Sequence, residues 1–205
     1  MLKKPKVALI ILAAGKSTRF PGNKLLAKIN NEYMIEKVVR TSIKSKADEI
    51  IVVTGHEADK IEKTLQWIRD DRIRFVYNRD YEKGQSSSVK RGVSEVIGRV
   101  DAVIIHPADV PFIAPDDIDN LINVYEITCA PIIVASHKGR HGHPILFSNK
   151  LFNEIMNITE EKKGLKELTE KYMEEIIEVE SSQYTVIDVD TVEDLKNILK
   201  SLKEQ

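Results

Sequence analysis

At 205 residues, with 42% hydrophobic and 31% charged side chains, the chain is long enough to bury one substantial core and too apolar to be disordered or fibrous. A formal net charge of -1, with no block of like charges, excludes long-range attraction for nucleic acid or an anionic membrane, so any polyanion must be held locally. The one cysteine, Cys129, excludes a disulfide framework and a thiolate zinc site; it suits a reducing, cytoplasmic setting and, among apolar neighbours, reads as inert core.

In chain order, Lys3, Lys4 and Lys6 precede an apolar run over residues 7–14 that superficially resembles a secretory leader. The run is short for a leader and ends in a glycine loop instead of a small-residue cleavage site, so it is read as a buried strand. No other segment approaches membrane-spanning length. Runs rich in Val and Ile predict strands at 7–12, 50–53, 73–76, 102–105 and 132–135, and amphipathic spacing between them predicts helices at 33–42, 58–68, 88–97 and 117–125. This alternation implies βαβ units, a largely parallel sheet and right-handed crossovers. The remainder is less regular: a strand at 144–147, helices at 151–158 and 165–172, strands at 176–179 and 185–189, and a closing helix at 192–202. With no repeat, low-complexity tract or linker, residues 1–205 are read as one domain.

In such a sheet, ligands sit beyond the carboxyl ends of the strands, and the unusual residues of this chain follow strands. After the first comes Leu12-Ala13-Ala14-Gly15-Lys16-Ser17-Thr18-Arg19, continued by Phe20-Pro21-Gly22-Asn23-Lys24. Small residues let backbone amides approach phosphate oxygens, and Arg19 and Lys24 add the charge that a nucleoside triphosphate requires. Neither G-x-x-x-x-G-K-[ST] nor G-x-G-x-x-G is present, which counts against an ATPase or a dehydrogenase. The plain alternative, a solvated turn with incidental cations, explains one Gly and one Lys but not this density.

Pro107-Ala108-Asp109-Val110-Pro111 places a carboxylate after the fourth main strand, framed by prolines. Magnesium takes such oxygen ligands, whereas a turn Asp bonding its own backbone is an equal alternative. In Asp188-Val189-Asp190, period-two geometry puts two carboxylates on one face, available as further metal ligands; a cap for the last helix competes for Asp190, given Glu193 three residues on. Gly84-Gln85-Ser86-Ser87-Ser88, ahead of a helix carrying Lys90 and Arg91, suits a ribose, base edge or phosphate, or simple capping. Arg140-His141-Gly142-His143-Pro144 offers two imidazoles in a substrate-side loop, or a tight turn with solvated histidines; no recognised zinc spacing is met.

Together these stretches resemble the molybdenum cofactor cytidylyltransferase family, within the molybdopterin nucleotidyltransferase-like proteins. Leu12-Ala13-Ala14-Gly15, Ser17, Arg19 and Lys24 match its signature loop; Asn78, Gly84 and Ser88 its nucleoside loop; Pro107-Ala108-Asp109-Val110-Pro111 its metal loop. Gly142-His143-Pro144 and Asp188-Val189-Asp190-Thr191 with Glu193-Asp194-Leu195 match later motifs. The resemblance implies a Rossmann-like α/β fold with helices on both faces of the sheet, of nucleotidyltransferase type.

It also implies nucleotide binding by Leu12, Ala13, Ala14, Gly15, Lys16, Ser17, Arg19, Lys24, Asn78, Gly84 and Ser88, with Ala13 and Ala14 favouring CTP over GTP. Catalytic roles fall to Lys24, Arg19 and Asp109, a Mg2+ (or Mn2+) site to Asp109, Asp190 and Asp188, and acceptor binding to His141, Gly142, His143, Pro144 and Gly164. The segment 160–165 keeps only a glycine of the family pattern, and Val192 stands where proline is usual.

The implied reaction is attack by the terminal phosphate of molybdopterin on the α-phosphorus of CTP, releasing pyrophosphate. An already ionised nucleophile needs no general base, and none is found. A molybdoenzyme client is a transient partner under this reading, with no nucleic acid or membrane partner. Three rivals stay open: a sugar or isoprenoid phosphate acceptor; a non-catalytic carrier of the cofactor; and a glycosyltransferase, prompted by the D-x-D shape of 188–190.

Overall fold

The apolar runs pair into one seven-stranded sheet. In the computed structural model, which describes residues 4–202, the chain forms β1 (Val7–Ala13), a small hairpin of β2 (Lys28–Ile29) and β3 (Glu32–Tyr33), α1 (Met34–Ile43), β4 (Glu49–Thr54), α2 (Ala58–Leu65), β5 (Ile73–Tyr77) and α3 (Gln85–Ser94). It continues through β6 (Ala102–Pro107), α4 (Pro115–Thr128), β7 (Ile132–His137), β8 (Arg140–Ser148), α5 (Phe152–Ile155), α6 (Leu165–Lys171), β9 (Ile176–Glu180) and α7 (Val192–Ser201). Lys3 lies outside the described residues, and the run that follows it forms β1, an interior strand of the sheet.

The strand order is β5-β4-β1-β6-β8-β7-β9, with every neighbouring pair parallel except those of β8, which runs antiparallel to β6 and β7. All seven residues of β1 are buried because both faces of the sheet are covered, which is why the strand reads as a continuous apolar run. Val7, Leu9 and Ile11 join Val38, Leu121 and Leu195 on one face, while Ala8 and Ile10 join Val89, Ile155 and Leu168 on the other. Beyond β1 the chain moves outward to β4 and β5, then returns to place β6 on the opposite side. That reversal opens a crevice past the carboxyl ends of β1 and β6.

Four sequence expectations are corrected. Helix α3 starts at Gln85, so the serine run lies inside its first turns, not ahead of it. Residues 185–189 are not a strand: Gln183–Val186 is a 3-10 turn, because Thr185 N bonds Ser182 O and Asp117 accepts from Ser182 N (2.9 Å) and Oγ (2.8 Å), satisfying locally what a ladder would satisfy. Strand β8 starts at Arg140, so His141-Gly142-His143 belongs to a strand, reached from β7 by the two-residue turn Lys138-Gly139 with φ of 52° and 75°. Cys129 is not core: it is the exposed, left-handed residue that ends α4, with φ 49°. Among the described residues no helix is long and apolar enough to cross a membrane.

Candidate active site

The loop after β1 is shaped by its own side chains. Ser17 takes a left-handed conformation (φ 56°), its carbonyl accepts from Phe20 N at 2.9 Å and its hydroxyl from Lys24 N at 3.2 Å, so the loop turns back on the strand that delivers it. Asn23 then caps the 3-10 turn Lys24–Leu26 through Leu25 N. A Cβ on Gly15 would meet nothing within 4 Å, so packing does not demand the glycine; the space belongs to a cavity of about 320 Å³ lined by Leu12, Ala14, Gly15, Lys16, Ser17 and Lys24. Ala13 instead faces the core and is 0% exposed.

Lys24 Nζ lies 2.7 Å from Asp109 Oδ2 and 3.0 Å from Asp190 Oδ1, and Arg19 reaches the other oxygen of Asp190 at 2.8 Å. Burial favours loss of the Lys24 proton, but the charges of Asp109 and Asp190 and their hydrogen bonds outweigh it, and the ammonium is held above its usual range. Asp190 answers in the opposite sense: burial would raise its carboxyl, yet Lys24 and Arg19 hold it below the ordinary range. Asp188 is shifted up, by desolvation and then by the charges of Asp190 and Asp109. Helix capping does not compete for Asp190, because Thr191 caps α7, accepting from Asp194 N, while Asp194 accepts from the backbone N–H of Asp190 and Thr191.

Two carboxylates from separate loops thus converge on one cationic atom, and hard oxygen ligands of this kind suit Mg2+ or Mn2+. Among the described residues no group of three or more His, Cys, Asp or Glu side chains forms a complete metal cage. The residues fit a cation that takes one or two carboxylates and completes its shell with phosphate and water. Asp188 makes no ion pair with Lys24 and lines a second cavity instead.

Asn78, Gly84 and Ser88 divide their tasks. Gly84, Gln85 and Ser88 line the first cavity. Asn78, buried, stands behind it: its amide donates to Ser87 Oγ at 2.9 Å and to Ser88 Oγ at 3.0 Å, and of these two serines Ser88 lines the cavity. The amino end of α3 is occupied by the Glu160 carboxylate, which accepts from Ser86 N.

The second cavity, about 550 Å³, is lined by His141, Gly142, His143, Lys163, Lys166 and Thr185 among others. Pro144 is buried and joined to His143 by a cis peptide; it does not line this cavity, and Gly164 packs against Ser86 Oγ instead. A Cβ on Gly142 would lie 2.2 Å from Thr185 O, so the glycine is required by the close approach of segment 183–187. Burial holds the His143 imidazole below the usual histidine range, with Asp109 opposing. Both cavities are lined by Gln85, Pro107 and Asp109, so they meet at the Asp109 loop.

Several site residues carry no signal in the motifs. Tyr81 and Glu82 line the first cavity, Glu82 pairs with Lys16 at 2.6 Å, and Lys163 and Lys166 line the second. Gly55 is within reach of the rule that functional residues follow strands: it comes directly after β4, and a Cβ there would lie 2.8 Å from Ala14 Cβ and 2.9 Å from Ala14 O, pressing on the glycine loop.

This is a doubly wound α/β protein with a glycine-lined crevice at its switch point, where Lys16 and Lys24 stand against Glu82 and Asp109. The chain belongs to the MobA-like NTP transferase domain family, whose model matches residues 9–176. It is 33% identical over 171 residues to a probable UDP-N-acetylglucosamine pyrophosphorylase of Acanthamoeba polyphaga mimivirus, an alignment spanning 78% of this chain and 66% of that protein. Its fold is similar to that of Rv0371c from Mycobacterium tuberculosis H37Rv, with a TM-score of 0.82 at 22% identity over 97% of this chain and 100% of that one; the same protein has a crystal structure in complex with manganese. It is also similar in fold to the 4-diphosphocytidyl-2C-methyl-D-erythritol synthase of Anaerococcus prevotii, with a TM-score of 0.80 at 19% identity over 98% of this chain and 97% of that one.

Proposed function

We propose that the chain is a divalent-metal-dependent nucleotidyltransferase that transfers CMP from CTP to the terminal phosphate of molybdopterin, releasing pyrophosphate. The observation that carries this reading is the junction of two cavities at Asp109, where Lys24 bridges Asp109 and Asp190. Two phosphorylated reactants must meet there, one from each side, and their mutual repulsion is the main barrier. Lys24 and Arg19 neutralise oxygens of the triphosphate, and the backbone of 14–17 lets it approach closely. His141, His143 and the 183–187 segment orient the acceptor on the other side of Asp109. Asp109 and Asp190 would hold Mg2+ or Mn2+, which when bound supplies positive charge to the α-phosphate and the departing pyrophosphate. The acceptor phosphate is already ionised, so no side chain needs to take a proton from it.

The choice of CTP rests on the family resemblance of Ala13 and Ala14. Purified protein incubated with Mg2+, molybdate-loaded molybdopterin and CTP, GTP or ATP is expected to release pyrophosphate with CTP. Release with GTP alone would overturn the nucleotide assignment.

A second reading, a sugar phosphate acceptor, is favoured by the 33% identity to the mimivirus protein and the name it carries. Incubation with UDP-N-acetylglucosamine and pyrophosphate tests it: UTP formation, with silence in the molybdopterin assay, would replace the first reading with the second.

A further inference from the structure

The amino end of α3 forms one wall of the nucleotide cavity, through Gly84, Gln85 and Ser88, yet its cap comes from a distant segment. Glu160 reaches across so that Oε1 accepts from Ser86 N. The fit allows no side chain at residue 84: a Cβ on Gly84 would come within 2.5 Å of Glu160 Cγ and Cδ, and Gly84 has φ 96°. The segment behind Glu160 is folded onto the same turn. Lys163 N bonds Glu160 O at 3.0 Å, Gly164 N bonds Thr159 O at 2.8 Å, and two successive left-handed residues, Lys163 (φ 66°) and Gly164 (φ 58°), turn the chain back. That turn brings Gly164 so near α3 that a Cβ there would lie 2.8 Å from Ser86 Oγ, while Lys90 Nζ donates to Ile158 O at 3.0 Å. The residues that follow, Leu165 and Lys166, join Lys163 in lining the second cavity.

We infer that Glu160 is a positioning residue, which seats the 159–164 segment, and with it the Lys163 and Lys166 wall of the acceptor cavity, on the turn that lines the nucleotide cavity. Its assignment to an acceptor cavity rests on the proposed nucleotidyl transfer. The Ser86 N–H is one of the amide groups left unpaired at a helix amino end, and a carboxylate there gains from both the hydrogen bond and the helix dipole. The same bond ties the loop that carries Lys163 into the acceptor cavity to the turn whose Gly84 and Ser88 line the nucleotide cavity. Occupation of one cavity therefore steadies the wall of the other.

The test is hydrogen exchange on the full chain, free and with CTP and Mg2+, for the parent protein, Glu160→Ala, Glu160→Asp and Glu160→Gln. In the free protein, Glu160→Ala should lose protection over both 158–166 and 84–88 while β1, β4 and β6 keep theirs. Glu160→Asp, one methylene too short, should do the same and serves if the alanine variant does not fold. Glu160→Gln, which keeps an acceptor oxygen, should retain protection. CTP should raise protection over 158–166 in the parent protein and not in Glu160→Ala. Unchanged exchange over 84–88 in the alanine and aspartate variants would overturn the inference, as would equal CTP protection with and without Glu160. With molybdopterin as acceptor, Glu160→Ala should raise the acceptor KM about tenfold, with a smaller change in the CTP KM, as expected when a substrate-positioning wall is loosened; an equal rise in both would also count against it. If the parent protein neither binds CTP nor turns over, the proposed reaction fails, and exchange in the free protein still decides the role of Glu160.

Discussion

Asp109 and Asp190 are held together by a shared partner, the Lys24 ammonium, 2.7 Å from one and 3.0 Å from the other. Each comes from its own loop, and the backbone reinforces the meeting: Val189 N donates to Asp109 O at 2.8 Å. The site is assembled by two turns that brace each other, and charge is balanced by the protein itself.

Removing one carboxylate should separate chemistry from folding. Asp109→Ala is expected to cut pyrophosphate release by on the order of 10²- to 10³-fold, the usual effect of deleting an electrostatic contact at a reacting centre. Far-UV circular dichroism should be unchanged, because Asp109 is a partly exposed loop residue at the rim of the sheet. Pyrophosphate release at the parent rate would remove Asp109 from the machinery.

Removing the shared cation should expose the metal affinity of the pair. Lys24→Met leaves Asp109 and Asp190 facing each other without the ammonium, so its Tm in EDTA should fall below that of the parent protein. Added Mn2+ should then raise the Tm of the variant more than that of the parent, because a ligand that binds only the folded state stabilises it by mass action. Equal Mn2+ responses would argue against metal binding by this pair.

Two glycines should report on the two cavities separately. Gly55→Ala puts a Cβ against Ala14 and Tyr81, and should raise the KM for the nucleotide by displacing the glycine loop. Gly142→Ala drives a Cβ into the Thr185 carbonyl, and should raise the KM for the acceptor while sparing the nucleotide. Steady-state kinetics with each substrate varied in turn distinguishes these patterns, and a swap of the two effects would contradict the placement of the cavities.

Acid should weaken the fold through His106, the buried residue before Pro107. His106 is 0% exposed, and burial, followed by the nearby His143, holds its pKa down to about 3 from 6.5, with the Val110 backbone opposing. Its folded pKa is depressed, so the neutral imidazole is retained on folding while the unfolded chain takes up a proton below 6.5. Stability should therefore fall by about 1.4 kcal/mol per pH unit from this group as pH drops from 6.5 toward 3. Urea unfolding of the parent protein and His106→Leu from pH 7 to pH 4 checks this: the variant should show the shallower decline.

The sheet was legible because buried parallel strands leave unbroken runs such as residues 7–12, and helices between them leave a 3.6-residue period. The meeting of the glycine loop and Asp109 in one crevice was legible because the turns after parallel strands gather at the carboxyl edge of such a sheet. What escaped was set by partners remote in sequence. The alternating pattern at 184–187 resembles a strand, but Asp117 captures Ser182 and turns the chain into a 3-10 helix. The serines of 86–88 pass for a loop until Glu160 caps the turn they occupy. Gly142 stands out in the sequence as part of a motif and Gly55 does not, but in both cases only the approach of Thr185 or Ala14 shows why a side chain is excluded.

Strand β8 is the one member of the sheet that runs backward, and its first residues, not its last, reach the crevice. The histidines that face the second cavity are thus mounted on hydrogen-bonded sheet, at a register set by the two-residue turn Lys138-Gly139. Lengthening that turn by one residue would rotate the alternation of the strand's outer end, exchanging the side chains that face each side. On the proposed reaction, turn length alone would retune the acceptor side, with the core and the glycine loop left untouched.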